Sequence, residues 1–182
     1  MARRAQAEPS DSDRDLGPLA DFEGVARAIV LRKLTGQPRS RHELELSLSD
    51  KDVPADVAKA VLDRFEEVQL VDDVAFAQAW VQSRQAGRGL SRRALMEELR
   101  RKGINDDVAR DTLDAISPAA ERAAARALVE RKLAAARRLE PQQRLRRLVG
   151  MLARKGYSSS VAVAVVREAL AEDHEATASS DA

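Results

Sequence analysis

The sequence predicts an all-α fold: tandem repeats of a three-helix unit, about nine helices in an elongated, curved array. Three observations lead there. Apolar residues recur at spacings of three and four, as at Leu44 and Leu48 or Leu95 and Leu99, which places them on one helical face. Alternation of period two is absent, so no strand pattern competes. The chain also aligns with itself three times, at offsets of 51 and 53 residues. Segments 40–57, 91–108 and 144–161 share apolar positions: Leu44, Leu95 and Leu148; Leu48, Leu99 and Leu152; Val53, Ile104 and Tyr157; Val57, Val108 and Val161. An earlier helix in each unit aligns as well, over 28–34, 79–85 and 127–133. The expected units are 23–70, 71–116 and 117–172, between unstructured tails at 1–22 and 173–182 that lack apolar periodicity. Each unit is too small to bury its apolar face well alone, so one core is expected to extend through the stack.

The elements carry their own start and stop signals. In the first unit, Ser40-Arg-His-Glu43 fits a capping box, in which Ser and Glu satisfy free backbone N–H groups reciprocally. His42 in that turn is expected at the surface. In the second unit, Asp72 or Asp73 caps the helix that holds Phe76 and Trp80, both core candidates. The glycine-bearing run Gln85-Ala-Gly-Arg-Gly-Leu90 then reads as a turn between helices. Ser117-Pro118 and Glu140-Pro141 place proline at the first helical position, where its missing N–H costs nothing. Gly103 and Gly156 follow Arg-Lys at matching places and supply the left-handed residue that ends a helix; Asp52 holds that place in the first unit. Asn105 and Ser158 cap the third helices of their units, and Tyr157, in register with Val53 and Ile104, reads as core.

Composition excludes several chemistries. The 182 residues contain no Cys and two His far apart, which argues against disulfides, thiolate metal sites and His-rich clusters. No Gly-x-x-x-x-Gly-Lys-Ser/Thr loop and no Gly-x-Gly-x-x-Gly after a strand is present. The paired carboxylates Asp72-Asp73 and Asp106-Asp107 sit at helix starts, where the helix dipole accounts for them. An enzyme is not expected, and neither is a cofactor or metal. No apolar run is long enough to span a membrane, and the opening Met-Ala-Arg-Arg leads into polar residues, so a cytoplasmic protein without a signal peptide is expected. Nothing resembles a sustained heptad seam, and a monomer is expected.

Charge is the feature with functional content. The total is +1, yet 117–170 carries +8, against −3 over 23–74 and −4 over 171–182. Arg93, Glu97 and Arg101 share a stripe away from Leu95 and Leu99; Arg146, Gly150 and Arg154 take the same places in the third unit, and Lys102 and Lys155 follow. The equivalent positions of the first unit are His42, Leu46, Asp50 and Lys51, so the basic stripe stops there. Arg88, Arg92, Arg144 and Arg147 thicken it near the helix starts. Such a stripe suits an acidic protein groove or a phosphate backbone. Few aromatics are available to stack bases, which disfavours sequence-specific nucleic-acid recognition.

The run Val71-Asp-Asp-Val-Ala-Phe-Ala-Gln-Ala-Trp-Val-Gln-Ser-Arg84 with Gly89-Leu-Ser-Arg-Arg-Ala-Leu-Met-Glu-Glu-Leu-Arg-Arg-Lys-Gly-Ile104 resembles the centre of the RecX family, bacterial regulators of the RecA recombinase. Pro38–Leu44 is similar to that family's first-repeat signature, and Lys132-Leu133 with Arg154–Tyr157 to its third; the resemblance covers about 23–170. It implies tandem three-helix repeats and a non-enzymatic protein. It implies binding in the helical groove of the RecA filament on single-stranded DNA, bridging neighbouring subunits. It also implies lowered ATP hydrolysis, strand exchange and the co-protease activity that triggers the SOS response, with filament growth impeded. The first unit departs from the family, with Glu43-Leu-Glu-Leu-Ser-Leu-Ser-Asp50 where more basic residues are usual. That leaves Arg88, Arg92, Arg93, Arg101, Lys102, Arg144, Arg146, Arg147, Arg154 and Lys155, from units two and three, as the candidates for contact with RecA. Direct DNA binding through the same face is the alternative.

Overall fold

The computed structural model of the chain describes residues 21–180. All nine elements among them are helices: α1 (Phe22–Gly36), α2 (Arg41–Ser49), α3 (Ala55–Glu67), α4 (Asp73–Arg88), α5 (Arg92–Arg101), α6 (Asp106–Asp114), α7 (Pro118–Ala136), α8 (Pro141–Arg154) and α9 (Ser159–Ser180). Helix packing groups them in threes, α1–α3, α4–α6 and α7–α9.

The caps read from the sequence are in place. The Ser40 hydroxyl accepts from the Glu43 N–H while Glu43 reaches back to Ser40, closing the capping box. Of the Asp72-Asp73 pair, Asp72 is the cap, accepting from Ala75 N–H at 2.9 Å. Asn105, Ser117 and Ser158 cap α6, α7 and α9, and Pro118 and Pro141 open their helices. All three second helices end the same way. The residue after the helix is left-handed at Asp52 (φ 56°), Gly103 (φ 73°) and Gly156 (φ 91°). Its successor, Val53, Ile104 or Tyr157, donates to the carbonyl five residues back, at Leu48, Leu99 or Leu152.

The leucines aligned between repeats anchor the interior: Leu44, Leu95 and Leu148, with Leu48, Leu99 and Leu152, are buried. The expectation of one core running through the array is corrected. Buried apolar residues form three separate clusters, one per unit, around Leu44 and Leu62, around Leu95 and Leu113, and around Leu148 and Val166. Each unit closes its own core because its three helices pack on one another by their faces, while neighbouring units meet at helix ends. Val71, at the head of the expected second unit, packs in the first cluster.

The ends of the array also differ from expectation. Asp21 caps α1 and Phe22 begins it; residues 1–20 of the expected N-terminal tail, and 181–182 of the C-terminal one, lie outside the described residues. Residues 173–180, read as tail, continue α9. The reason is a tertiary anchor with no periodic signature: Asp173 is buried and takes ion pairs from Arg137 and Arg144.

Two substitutions check this packing by chemical denaturation. Leu99→Ala, at a fully buried site, is expected to cost about 3 kcal/mol. Gly156→Ala is expected to lose more than about 1 kcal/mol, because the position is left-handed and the new methyl would lie 2.7 Å from the Ala94 Cβ. Gly36→Ala, with open space around it, is the matched control and costs nothing.

Candidate functional site

The site is set by how one unit joins the next. In the first and second units, the N-terminus of the second helix receives the C-terminal turn of the following unit's second helix. At the first joint the Ser40 hydroxyl donates to the Lys102 carbonyl at 2.6 Å, Lys102 Nζ pairs with Glu43 at 2.7 Å, and Gly103 lies against His42. At the second joint the Ser91 N–H donates to the Lys155 carbonyl at 3.0 Å, Arg93 Nε donates to the Gly156 carbonyl at 3.2 Å, and Gly156 lies against Ser91 and Ala94. A carboxylate from the next unit's first helix completes each joint. Asp73 accepts from the Arg41 N–H at 2.8 Å, and Glu121 accepts from the Arg92 N–H at 2.9 Å. Burial pushes the Asp73 carboxyl up from its ordinary range, against the Arg41 bond that favours its charged form. Burial also opposes ionisation of Glu43, but bonds from Lys102 and Ser40 outweigh it and hold that carboxyl below the usual range. The second joint has a further key: buried Tyr157 donates its hydroxyl to the Gly89 carbonyl at 3.1 Å, and burial pushes its phenol up to about 12.

At these joints the end of α8 meets the start of α5, and the end of α5 meets the start of α2. Where α8 meets α5 the stripe opens into a groove of about 520 Å³. Arg88, Arg93, Arg101 and Arg154 line it, with Glu97 and Glu98 between them. Arg101 and Arg154 are exposed and make no ion pair among the described residues. Glu98 is nearly buried, at 14% exposure, and organises one wall. It accepts from Trp80 Nε1 at 2.9 Å and Arg84 Nε at 3.2 Å, and pairs with Arg88 at 3.7 Å. The Trp80 ring stacks on Phe76 and is clamped between the Arg84 guanidinium, 4.0 Å from its centroid, and Lys102 Nζ at 4.6 Å. Trp80 packs against the second core as expected, and its polar edge also braces the groove. The groove thus offers four guanidiniums, interrupted by two carboxylates: a surface for a partner carrying both signs with acid in excess.

Family models for the first, second and third three-helix domains of RecX match residues 26–65, 72–113 and 120–166. The chain belongs to the RecX family. The regulatory protein RecX of Thermobifida fusca is 54% identical over 150 residues, covering 82% of this chain and 81% of that one. RecX of Streptomyces coelicolor is 53% identical over 160 residues, covering 88% and 85%. The crystal structure of RecX from Lactobacillus salivarius shares the fold at TM-score 0.74 and 21% identity, covering 83% of this chain and 98% of that one. RecX proteins are regulators, and this chain is one by descent. Among its described residues no helix is long and apolar enough to cross a membrane.

The RecX fold divides the ten candidate cations. Four, Arg88, Arg93, Arg101 and Arg154, converge on the groove. Arg146 and Arg147 are exposed on α8, away from it. The other four enter the architecture, three through their charged groups and Lys155 through its backbone alone. Arg92 pairs with Asp114, as Arg41 pairs with Asp63 one unit earlier. Lys102 is held by Glu43 and Trp80. The Lys155 carbonyl is part of the second joint. Arg144 is 17% exposed and bound to Asp173. Sequence reasoning named the cations but not their anionic partners, because Glu43, Asp114 and Asp173 lie 59, 22 and 29 residues from them. The shared register of Arg41 with Arg92, and of Asp63 with Asp114, is a signal that could have found one pair.

Bonds from Arg137 and then Arg144 hold the Asp173 carboxyl below the usual carboxylate range. A depressed folded pKa stabilises above the unfolded value, about 4, and that contribution is lost as pH falls through the folded value. Asp173→Asn is therefore expected to be less stable than the natural chain near neutrality, by about 2 kcal/mol. Urea denaturation over a falling pH series should show the two curves converging below pH about 4.

Proposed function

We propose that this RecX-family chain modulates, chiefly inhibits, the RecA recombinase. It lies in the groove of the RecA filament on single-stranded DNA and lowers ATP hydrolysis, strand exchange and co-protease activity, and so acts in DNA repair and the SOS response. The observation that carries this reading is the family match over all three units. The end-to-end row of second helices supports it, since such a row can follow an extended partner, and the arginine groove at the α8–α5 joint supplies the contact. Arg88, Arg93, Arg101 and Arg154 hold acidic side chains of RecA, while Glu97 and Glu98 reject an uninterrupted run of negative charge. That alternation favours a protein surface over a bare phosphate backbone.

The measurement is ATP hydrolysis by the cognate RecA on single-stranded DNA, titrated with this protein well below the RecA concentration. Inhibition at such ratios is expected, since few bound copies must then act on many subunits. The double variant Arg101→Glu with Arg154→Glu is expected to raise the half-inhibitory concentration at least tenfold, at an unchanged circular dichroism spectrum and melting temperature; each reversal sets a carboxylate against an acidic group of the partner and weakens binding by about 1–3 kcal/mol. Undiminished inhibition by the folded variant removes these residues from the mechanism. Tight, steeply salt-dependent binding to free DNA without RecA would instead favour a direct DNA-binding module.

A further inference from the structure

We infer that the joint between units is an end-to-end docking interface, and that each end of the chain carries a built-in stop that denies it to a second copy. Both internal joints use one pair of half-surfaces. One half is a second-helix N-terminus with a buried serine cap and a first N–H that donates to a carboxylate of the next unit, at Ser40-Arg41 and Ser91-Arg92. The other is a second-helix C-terminal turn with a lysine carbonyl and a left-handed glycine, at Lys102-Gly103 and Lys155-Gly156. A three-unit chain leaves one half of each kind unmated, the turn of α2 at one end and the start of α8 at the other. Without a stop, copies would dock head to tail and the heterologous contact would propagate.

The turn of α2 has the backbone of its two counterparts. Asp52 is left-handed like the glycines, and Asp52 and Val53 donate to the Ser49 and Leu48 carbonyls as their counterparts do. Only the side chain differs. A Cβ at Gly103 would collide with His42, and one at Gly156 would lie 2.7 Å from the Ala94 Cβ; Asp52 carries that Cβ and a carboxylate beyond it. Glycine at 103 and 156 therefore answers a need for close approach as well as for backbone freedom, and α2, whose end meets no other unit's second helix among the described residues, dispenses with it. At the other end, α8 begins at Pro141, which has no N–H to give to a carboxylate. The residue in register with Ser40 and Ser91 is Arg144, inside the helix and bound to Asp173 from the extended end of α9. The molecule is thus limited to a span of three units.

Two chains test this. In the first, a second copy of residues 71–116 is inserted between 116 and 117, where both neighbours present complementary halves. In the second, the same copy is placed directly ahead of Asp21, where its Ser91 would face Asp52; Glu23 in the first turn of α1 supplies the carboxylate that Asp73 and Glu121 supply elsewhere. Thermal unfolding is followed by circular dichroism. The first chain is expected to show no transition that the natural chain lacks. The second is expected to show an added, lower transition, which Asp52→Gly in that chain merges with the rest. An upstream copy that couples with Asp52 in place overturns the inference, as does an added transition that persists with glycine or appears in the first chain. Sedimentation of the natural chain should give a monomer at every concentration, and end-to-end association there would equally sink it.

Discussion

Everything in this structure hangs on the contact between a helix start and a helix end. The start of α2 or α5 has N–H groups that its own helix cannot satisfy, and the end of α5 or α8 has carbonyls in the same position. Each unit supplies what the next one lacks. Serine caps, a lysine carbonyl and a carboxylate from a third helix close the account at both joints. Because each joint sets donors at a helix start against carbonyls at a helix end, it fixes direction as well as position. The end of each following second helix is thereby held at the start of the one before it.

The groove follows from that contact. Arg154 lies at the end of α8 and Arg93 at the start of α5, and the joint brings those two ends together. Arg101, two turns along α5, extends the line, and Arg88 enters from α4 through Glu98. Within unit two, Trp80, Arg84 and Glu98 form one hydrogen-bonded and stacked wall that holds Arg88. The equivalent surface of the first unit carries His42, Leu46 and Asp50, so the cationic character ends where the first joint begins.

The two joints share a plan and differ in fabric. The first is rich in charge, with Glu43, Lys102 and the half-buried Asp73. The second adds the Tyr157 hydroxyl and a close fit of Gly89 against Leu128. With a separate apolar core in each unit, the contacts between units are largely polar, the fit of Gly89 against Leu128 apart.

The sequence by itself determined the helical class, the three-fold repetition, the caps and the aligned leucines, because those depend on interactions within four residues or on a period that recurs. It also determined the family, through the residues around Asp72–Arg84 and Glu98–Ile104. It reached the list of cations but not their sorting. Whether Arg144 faces a partner or Asp173, and whether Lys102 is available or held by Glu43, depends on residues far away in the chain, and no periodicity encodes that distance. Likewise 173–180 look featureless alone and become helix because two arginines from α8 and the end of α7 anchor Asp173. Tertiary structure decided the separateness of the cores, the end-to-end joints and the four arginines of the groove. These are set by which helix ends meet, and helix ends meet only once the units are packed.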